Sequence, residues 1–89
     1  MNADKFATFS TAYRAGLHAA VIADVDKPED KRHYNWSVDN VPIVADKMLK
    51  SIAEKPLAVN YDSNGFKRAC KLLGIKPTRK AIFAYLEIA

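Results

Sequence analysis

Cationic side chains are concentrated in the last third of this 89-residue chain. Residues 63–89 carry six Lys and Arg against the single acid Glu87, whereas residues 1–62 carry eight cations and nine anions. The formal charge of +4 therefore lies entirely in the last segment. Clustered cations attract a polyanion far more strongly than the same charges spread over a surface. This pattern predicts contact with nucleic-acid phosphates or with an acidic protein surface.

Residue types that support catalysis are isolated from one another. His18 and His33 lack the spacing typical of a metal-ligand pair, and the three glycines lie too far apart to form a phosphate-binding loop. Cys70 is the only cysteine and is expected to face the core, where a thiol behaves as a small hydrophobe. Asp24 and Asp26 are expected to be solvated at the end of a helix. We therefore predict no enzyme, no catalytic residue, no metal site and no cofactor.

Length and composition indicate one globular domain. The chain is 49% hydrophobic and 27% charged, which is typical of a folded protein with one core. A single cysteine excludes a disulfide scaffold. We find no apolar run of the ~20 residues that cross a bilayer and no signal peptide, so a cytoplasmic protein without membrane contact is expected. Residues 1–62 form a near-neutral scaffold, and residues 63–89 form a basic unit.

Apolar residues repeat every three or four positions in two segments of the near-neutral scaffold, as on one face of a helix. The first helix is expected over residues 4–24, where Gly16 is the one weak helix former. Residues 39–42 read Asp-Asn-Val-Pro, which indicates the start of a second helix that ends at Lys55. The two stripes contain Phe6, Phe9, Tyr13, Leu17, Ala20 and Val21, and then Val44, Met48, Leu49, Ile52 and Ala53.

Two short segments alternate between apolar and polar residues, as half-buried strands do. Residues 33–38 read His-Tyr-Asn-Trp-Ser-Val, and residues 56–61 read Pro-Leu-Ala-Val-Asn-Tyr. The two segments could pair as a two-stranded β-ribbon that covers one side of the helices. The predicted fold class is mainly α with about four helices, and the alternative is an α+β domain that includes this ribbon.

The last third of the chain predicts two helices joined by a tight turn. Asp62-Ser63 offers an N-terminal cap for the first helix, and Gly74 stands where a left-handed residue ends it, followed by the apolar Ile75. Residues 76–78, Lys-Pro-Thr, are expected to open the second helix. The inner faces consist of Phe66, Ala69, Cys70 and Leu73, and of Ala81, Ile82, Tyr85 and Leu86.

Residues 69–75, Ala-Cys-Lys-Leu-Leu-Gly-Ile, resemble the helix-turn-helix family, because a small residue lies four positions before the turn glycine. The pattern departs from that family at Lys80, which occupies a position that usually faces inward, and at Pro77 in the turn. The resemblance implies DNA binding, with the second helix in the major groove and the first across the backbone. It assigns Lys67, Arg68 and Lys71 to phosphates, and Lys76, Thr78, Arg79 and Lys80 to phosphates or base edges.

Phe83 lies on the same face of the second helix as Lys80, away from Ile82 and Leu86. Three roles stay open for this ring: packing against the N-terminal helix, anchoring a protein partner, or stacking on a base. We include Phe83 with the seven cationic and polar residues above as a candidate binding residue.

The C-terminal residues 65–88 also resemble small proteins encoded by bacteriophages and related mobile elements. We therefore expect a basic, nucleic-acid-binding accessory protein that acts through its C-terminal helical pair. The alternative is a non-enzymatic protein-binding module, such as a phage inhibitor of a host enzyme or defence complex, with Phe83, Tyr34 or Trp36 as anchors. A homodimer formed through the first helix is a further alternative, because it would present two helical pairs to two half-sites.

Overall fold

Four helices account for most of the chain in the computed structural model, which describes residues 1–34 and 36–89. They are α1 (Ala3–Val25), α2 (Val41–Glu54), α3 (Asn64–Leu73) and α4 (Arg79–Leu86). Short 3₁₀ turns lie at Glu29–Lys31, Val38–Asn40 and Pro56–Ala58. The predicted mainly-α single domain with four helices is confirmed.

α1 begins at a side-chain cap and then buries one face along its whole length. The Asn2 side-chain oxygen accepts the backbone N–H of Lys5 at 3.0 Å, which satisfies one of the free donors of the first turn. Asp4 adds a negative charge at the positive end of the helix dipole. The buried face contains Phe9, Ala12, Tyr13, Gly16, Leu17, Ala20 and Val21.

α3 packs mainly against the middle of α1 through aromatic rings. The Phe66 ring of α3 lies 4.6 Å from the Tyr13 ring and 6.2 Å from the Phe9 ring, measured between centroids. All three side chains are buried. Aromatic pairs at these separations contribute about 0.5–1.5 kcal/mol each beyond the burial of their surface. This cluster fixes the inner face of α3 and leaves the opposite face to solvent.

Gly16 allows the backbones of α1 and α3 to come unusually close. A Cβ atom at this position would lie 2.8 Å from the Ala69 nitrogen and 2.9 Å from the Gly65 carbonyl oxygen, both of which are backbone atoms. Real Cβ contacts are not found at such distances, so any side chain here requires the helices to separate. The helix-weakening Gly16 is therefore explained by packing.

α2 covers a second side of α1. Its buried residues are Val41, Ala45, Leu49 and Ile52. The face differs slightly from the predicted one, since Ala53 is exposed and Val44 and Met48 are half-buried. At the rim, the Arg14 guanidinium donates to the Asp46 carboxylate at 2.9 Å. Exposed ion pairs of this kind contribute at most about 1 kcal/mol.

The end of α4 meets the beginning of α1. The backbone N–H of Asn2 donates to the Leu86 carbonyl oxygen at 3.0 Å, and Leu86 is itself buried. The Glu87 carboxylate accepts the Asn2 side-chain amide at 3.0 Å and lies 3.3 Å from the Lys5 ammonium. Both ends of the described chain are thus held together on one side of the domain.

The β-ribbon that the sequence suggested is absent from the described residues. Asn35 of the first expected strand lies outside them. Residues 56–58 form a 3₁₀ turn instead of a strand, and the Tyr61 hydroxyl donates back to the Pro56 carbonyl oxygen at 2.7 Å. Such a turn curls the segment onto itself, because proline opens it and supplies no N–H for a strand ladder.

Replacing Gly16 with alanine should destabilise the fold by about 2 kcal/mol or more, because the added methyl group meets backbone on α3. Helix propensity alone predicts the opposite sign, a gain of about 1 kcal/mol. Urea denaturation measures the difference. Gly65→Ala is the graded comparison and should cost less, since its nearest neighbours are the side-chain atoms Leu17 Cδ1 and Tyr13 Cε1, at 3.2 and 3.3 Å. A more stable Gly16→Ala protein would contradict the proposed close approach.

Candidate functional site

Six exposed cations lie along α3 and the start of α4, and we call them the basic surface: Lys67, Arg68, Lys71, Lys76, Arg79 and Lys80. Lys67 and Lys71 are one turn apart on the outer side of α3. Because only residues 74–78 separate the two helices, the end of α3 is adjacent to the start of α4. All six side chains are exposed.

The basic surface is not neutralised by the protein itself. Among the described residues, four ion pairs form, and none of them uses a cation of this surface. Glu87, the only acid in residues 63–89, pairs with Lys5 of α1 instead. The positive charge of α3 and α4 is therefore left to solvent or to a ligand.

The turn between the helices has the predicted left-handed glycine. Gly74 has φ +70°, and the backbone N–H of Ile75 donates to the Cys70 carbonyl oxygen at 3.0 Å, as in a Schellman ending. The N-terminal cap of α3 is also as predicted, since the Ser63 side chain accepts the N–H of Phe66. This turn orients α4 relative to the outer face of α3.

α4 begins later than the sequence indicated. Thr78 is its cap residue, and the Thr78 hydroxyl oxygen accepts the backbone N–H of Ala81 at 3.1 Å. Lys76 therefore lies in the turn, whereas Arg79 and Lys80 occupy the first helical turn. The expectation that residues 76–78 open the helix holds for Thr78, its cap, but Lys76 and Pro77 lie in the turn, because Pro77 disfavours helical backbone at Lys76.

The first turn of α4 has an unfavourable charge for an isolated helix. It carries Arg79 and Lys80 and no acid. The N-terminus of a helix is the positive end of its dipole, where cations are destabilising and anions are stabilising. A bound phosphate would reverse this local repulsion while also accepting free backbone N–H groups.

Phe83 is half-buried and packs against Tyr61, which precedes α3. Their ring centroids are 5.6 Å apart at an interplanar angle of 90°, and the Tyr61 ring contacts Phe66 of α3 at 5.1 Å. Tyr61 thus links the two helices. The Arg79 guanidinium lies over the Phe83 ring, 5.9 Å from its centroid. Of the three predicted roles, the ring packs within the protein, but the ring contact it makes is with Tyr61 and not the predicted one with the N-terminal helix.

Leu72 is an apolar residue of this region that the sequence reasoning missed. It lies on the outer side of α3 next to Lys71, and 64% of its surface is exposed. Its position could have revealed it, because on α3 Leu72 falls outside the inner face, which consists of Phe66, Ala69, Cys70 and Leu73. An exposed leucine beside cations is suited to an apolar contact with a ligand.

The remaining reactive residue types do not form a site. Cys70 is fully buried, and burial raises the pKa of its thiol, so the reactive thiolate is disfavoured. His18 and His33 are exposed. The described residues contain no group of three metal-ligating side chains.

A cleft lies beside the C-terminal end of α1. It has a volume of about 470 Å³ and is lined by Val21, Asp24, Val25, Glu29, Arg32, Tyr34, Trp36, Ser37 and Val38. The Tyr34 and Trp36 rings meet edge to face, with centroids 5.3 Å apart. Their T-shaped packing gives the cleft two aromatic walls.

Asp24 anchors this region, so the prediction that it is solvated is wrong. Only 3% of its surface is exposed, and its Oδ2 atom accepts the backbone N–H of Tyr34 at 2.9 Å. Burial by itself raises the pKa of Asp24, but backbone N–H groups of Tyr34 and His33 and the nearby Lys27 charge outweigh it and lower the pKa. Asp24 is therefore a carboxylate that fastens the segment after the loop onto α1. Asp26 is exposed, as expected.

Comparison with known protein families, with curated proteins and with solved structures finds no match to this chain. Among the described residues, none of the helices has both the length and the apolar character required to span a bilayer.

Acid should destabilise the protein partly through Asp24. Its pKa in the folded state lies below the ordinary value of 3.8, so its stabilisation is complete above the unfolded-state pKa and is lost as the pH falls through the folded-state pKa. We expect Asp24→Asn to flatten the acid side of the curve of unfolding free energy against pH, measured in urea. The matched variant Asp26→Asn removes an exposed carboxylate and should retain that acid dependence. Identical curves for the wild-type and Asp24→Asn proteins would refute the anchoring role.

Proposed function

We propose that this protein binds nucleic acid through the basic surface of α3 and α4. The observation that carries the proposal is the absence of any ion pair to these six cations among the described residues, while the nearby Glu87 is held by Lys5. Unneutralised cations release condensed counterions from a polyphosphate when they bind, and this supplies most of the affinity of basic proteins for nucleic acid.

The charge at the start of α4 supports the same conclusion. Arg79 and Lys80 stand where the helix dipole disfavours cations, and no acid of the first turn compensates them. This arrangement costs stability in the free protein. A phosphate at this position would be attracted by both side chains and by the helix end, so the cost in the free protein becomes a gain in the complex.

The residues of the site differ in their proposed roles. Lys67, Arg68 and Lys71 contact phosphates from the outer side of α3, and Lys76 does so from the turn. Arg79 and Lys80 reach phosphates or base edges from the first turn of α4. The Thr78 hydroxyl caps α4 and so positions the two cations that follow it. The Phe83 ring lies against the Arg79 guanidinium, and this cation–π contact helps to hold the Arg79 side chain in position. DNA in the cytoplasm is the proposed target.

Charge reversal should test the proposal without unfolding the protein. We expect the triple variant Lys76→Glu, Arg79→Glu and Lys80→Glu to lose at least tenfold in affinity for a fluorescent oligonucleotide, measured by anisotropy at about 50 mM salt. The slope of log affinity against log salt should also fall by about one for each phosphate contact removed.

The matched control places the same charge change on α2 and on Lys55, the residue that follows it. Lys47→Glu, Lys50→Glu and Lys55→Glu reverse three exposed lysines that lie outside the basic surface, and this variant should lose far less affinity. Circular dichroism verifies that both variants stay helical. Equal losses of affinity in the two variants would show that binding depends only on the net charge of the protein and not on the basic surface. No binding by the wild-type protein would refute the proposal.

An acidic protein partner is the second candidate, and the exposure of Leu72 favours it. Apolar side chains surrounded by cations are suited to partners whose apolar pocket has an acidic rim. The resemblance of residues 65–88 to phage-encoded proteins would make that partner a host enzyme or defence complex. Under this alternative the protein is an inhibitor without enzymatic activity.

Leu72→Ser separates the two candidates. If nucleic acid is the ligand and is held by its phosphates, this change should alter oligonucleotide affinity less than threefold, because the six cations remain. If a protein is the ligand, removing the central apolar contact should cost tenfold or more in affinity for a partner captured from nuclease-treated host lysate. Loss of every captured partner after nuclease treatment would contradict the protein-binding alternative.

A further inference from the structure

The cleft at the end of α1 contains the elements that recognise a planar aromatic ligand. Tyr34 and Trp36 provide two rings at an interplanar angle of 65°, and Val21, Val25 and Val38 add apolar walls. The volume of about 470 Å³ is within the range of small-ligand sites. None of these residues belongs to the basic surface, so the cleft is a separate feature of the domain.

A buried carboxylate oxygen beside this cleft lacks a hydrogen-bond donor. Asp24 lines the cleft, and its Oδ1 atom has no hydrogen-bond partner among the described residues, while Oδ2 accepts the N–H of Tyr34. The Lys27 ammonium lies 3.6 Å from Oδ1 and supplies a compensating charge without a hydrogen bond. Buried polar atoms are rarely left without a donor. A ligand N–H edge would satisfy this oxygen after the half-exposed Lys27 side chain turns away from it.

The cleft lining carries two acids, Asp24 and Glu29, and one cation, Arg32, with Lys27 beside Asp24, so the charges balance and favour a neutral ligand. Asp24 already faces Lys27. Arg32 lines the cleft, and its guanidinium donates to the carbonyl oxygens of Val25 and Lys27, both at 3.0 Å, so its position is fixed. A charged ligand group of either sign would meet like charges here, because a cation would meet Arg32 and Lys27 and an anion would meet Asp24 and Glu29. A neutral ring with an N–H donor would meet no such repulsion.

Arg68 is the cation of the basic surface whose charge acts on Tyr34, a residue of the cleft. This residue follows Gly65 on α3, and its Cβ atom lies close to Gly16 of α1. The Arg68 charge and the Gly65 backbone N–H both act on the Tyr34 hydroxyl, where they oppose the effect of burial, which raises the Tyr34 pKa. Tyr34 therefore lies between the cleft and the first cations of α3, so a strand held there could extend a base into the cleft.

We propose that this cleft binds an unpaired nucleobase, with the ring against Trp36 and Tyr34 and an N–H edge donating to Asp24 Oδ1. For a base that belongs to a strand held by the basic surface, this proposal rests on the proposed function. A free nucleotide has the same chemistry and is the second source of the base. A paired base is not recognised, because its edge is already hydrogen-bonded and its faces are stacked.

Trp36 is the only tryptophan of the chain, so its fluorescence emission reports directly on binding in the cleft. We would titrate the protein with a single-stranded oligonucleotide, with an abasic strand of the same length, with the corresponding duplex and with a nucleoside monophosphate. Anisotropy of labelled strands measures binding, and Trp36 emission measures stacking. The base-containing single strand should quench Trp36 emission and bind about tenfold more tightly than the abasic strand.

Two variants identify the residues responsible. Tyr34→Leu should lower the affinity for the base-containing strand to that for the abasic strand, and Asp24→Asn, which keeps one oxygen for the Tyr34 N–H, should lower it several-fold. Tyr85→Leu is the matched control, because this half-buried tyrosine contacts Lys5 at the other end of α1. It should leave both affinities unchanged. Near-ultraviolet circular dichroism verifies the fold of each variant.

The outcomes distinguish failure of the cleft proposal from failure of the proposed function of the basic surface. Equal affinity and equal Trp36 quenching with the base-containing and abasic strands would overturn the cleft proposal and leave the basic surface intact. Binding of neither strand would overturn the proposed function, and the monophosphate then decides the cleft. Saturable quenching that Tyr34→Leu abolishes would support it, and no quenching would overturn it.

Discussion

The close approach of α1 and α3 at Gly16 is the constraint on which the rest of the structure depends. Because no side chain fits between the two backbones there, α3 can lie against α1 in only one way. Phe66 then enters the aromatic cluster of α1, Tyr61 packs on Phe66, and Phe83 packs on Tyr61. The position of α4 is thus set by a series of ring contacts that starts at two glycines, Gly16 and Gly65.

The same packing decides which charges remain free. With the inner face of α3 committed to α1, its cations must face solvent, and with Leu86 docked beside Asn2, Glu87 turns toward Lys5. The only acid in residues 63–89 therefore points away from the basic surface. Close to the other end of α1, Asp24 holds Tyr34 and forms the floor of the cleft. One long helix thus supports both proposed binding features.

Local signals in the sequence were sufficient for the helices, and long-range contacts were not visible in it. Ser63 as a cap and Gly74 as a left-handed residue were predictable because each follows from the chemistry of its own helix end. The β-ribbon was wrong because alternation in a six-residue segment does not distinguish a strand from a turn, and in the second segment Leu57 is exposed although its position in the alternation predicted burial. Asp24 was misjudged because its partner, the N–H of Tyr34, comes ten residues later. The six cations could be identified from charge alone, whereas their freedom from ion pairs depends on where Glu87 docks.

The most direct test of the central claim is a map of the bound surface by nuclear magnetic resonance. A ¹⁵N-labelled sample titrated with a short single-stranded oligonucleotide at low salt should show its largest amide shifts between Lys67 and Lys80. Amides of α2 should change little, because that helix covers a different side of α1 and its two acids, Asp46 and Glu54, balance its two lysines, Lys47 and Lys50. Shifts confined to α2, or no shifts at any amide, would contradict the claim that α3 and α4 form the binding surface.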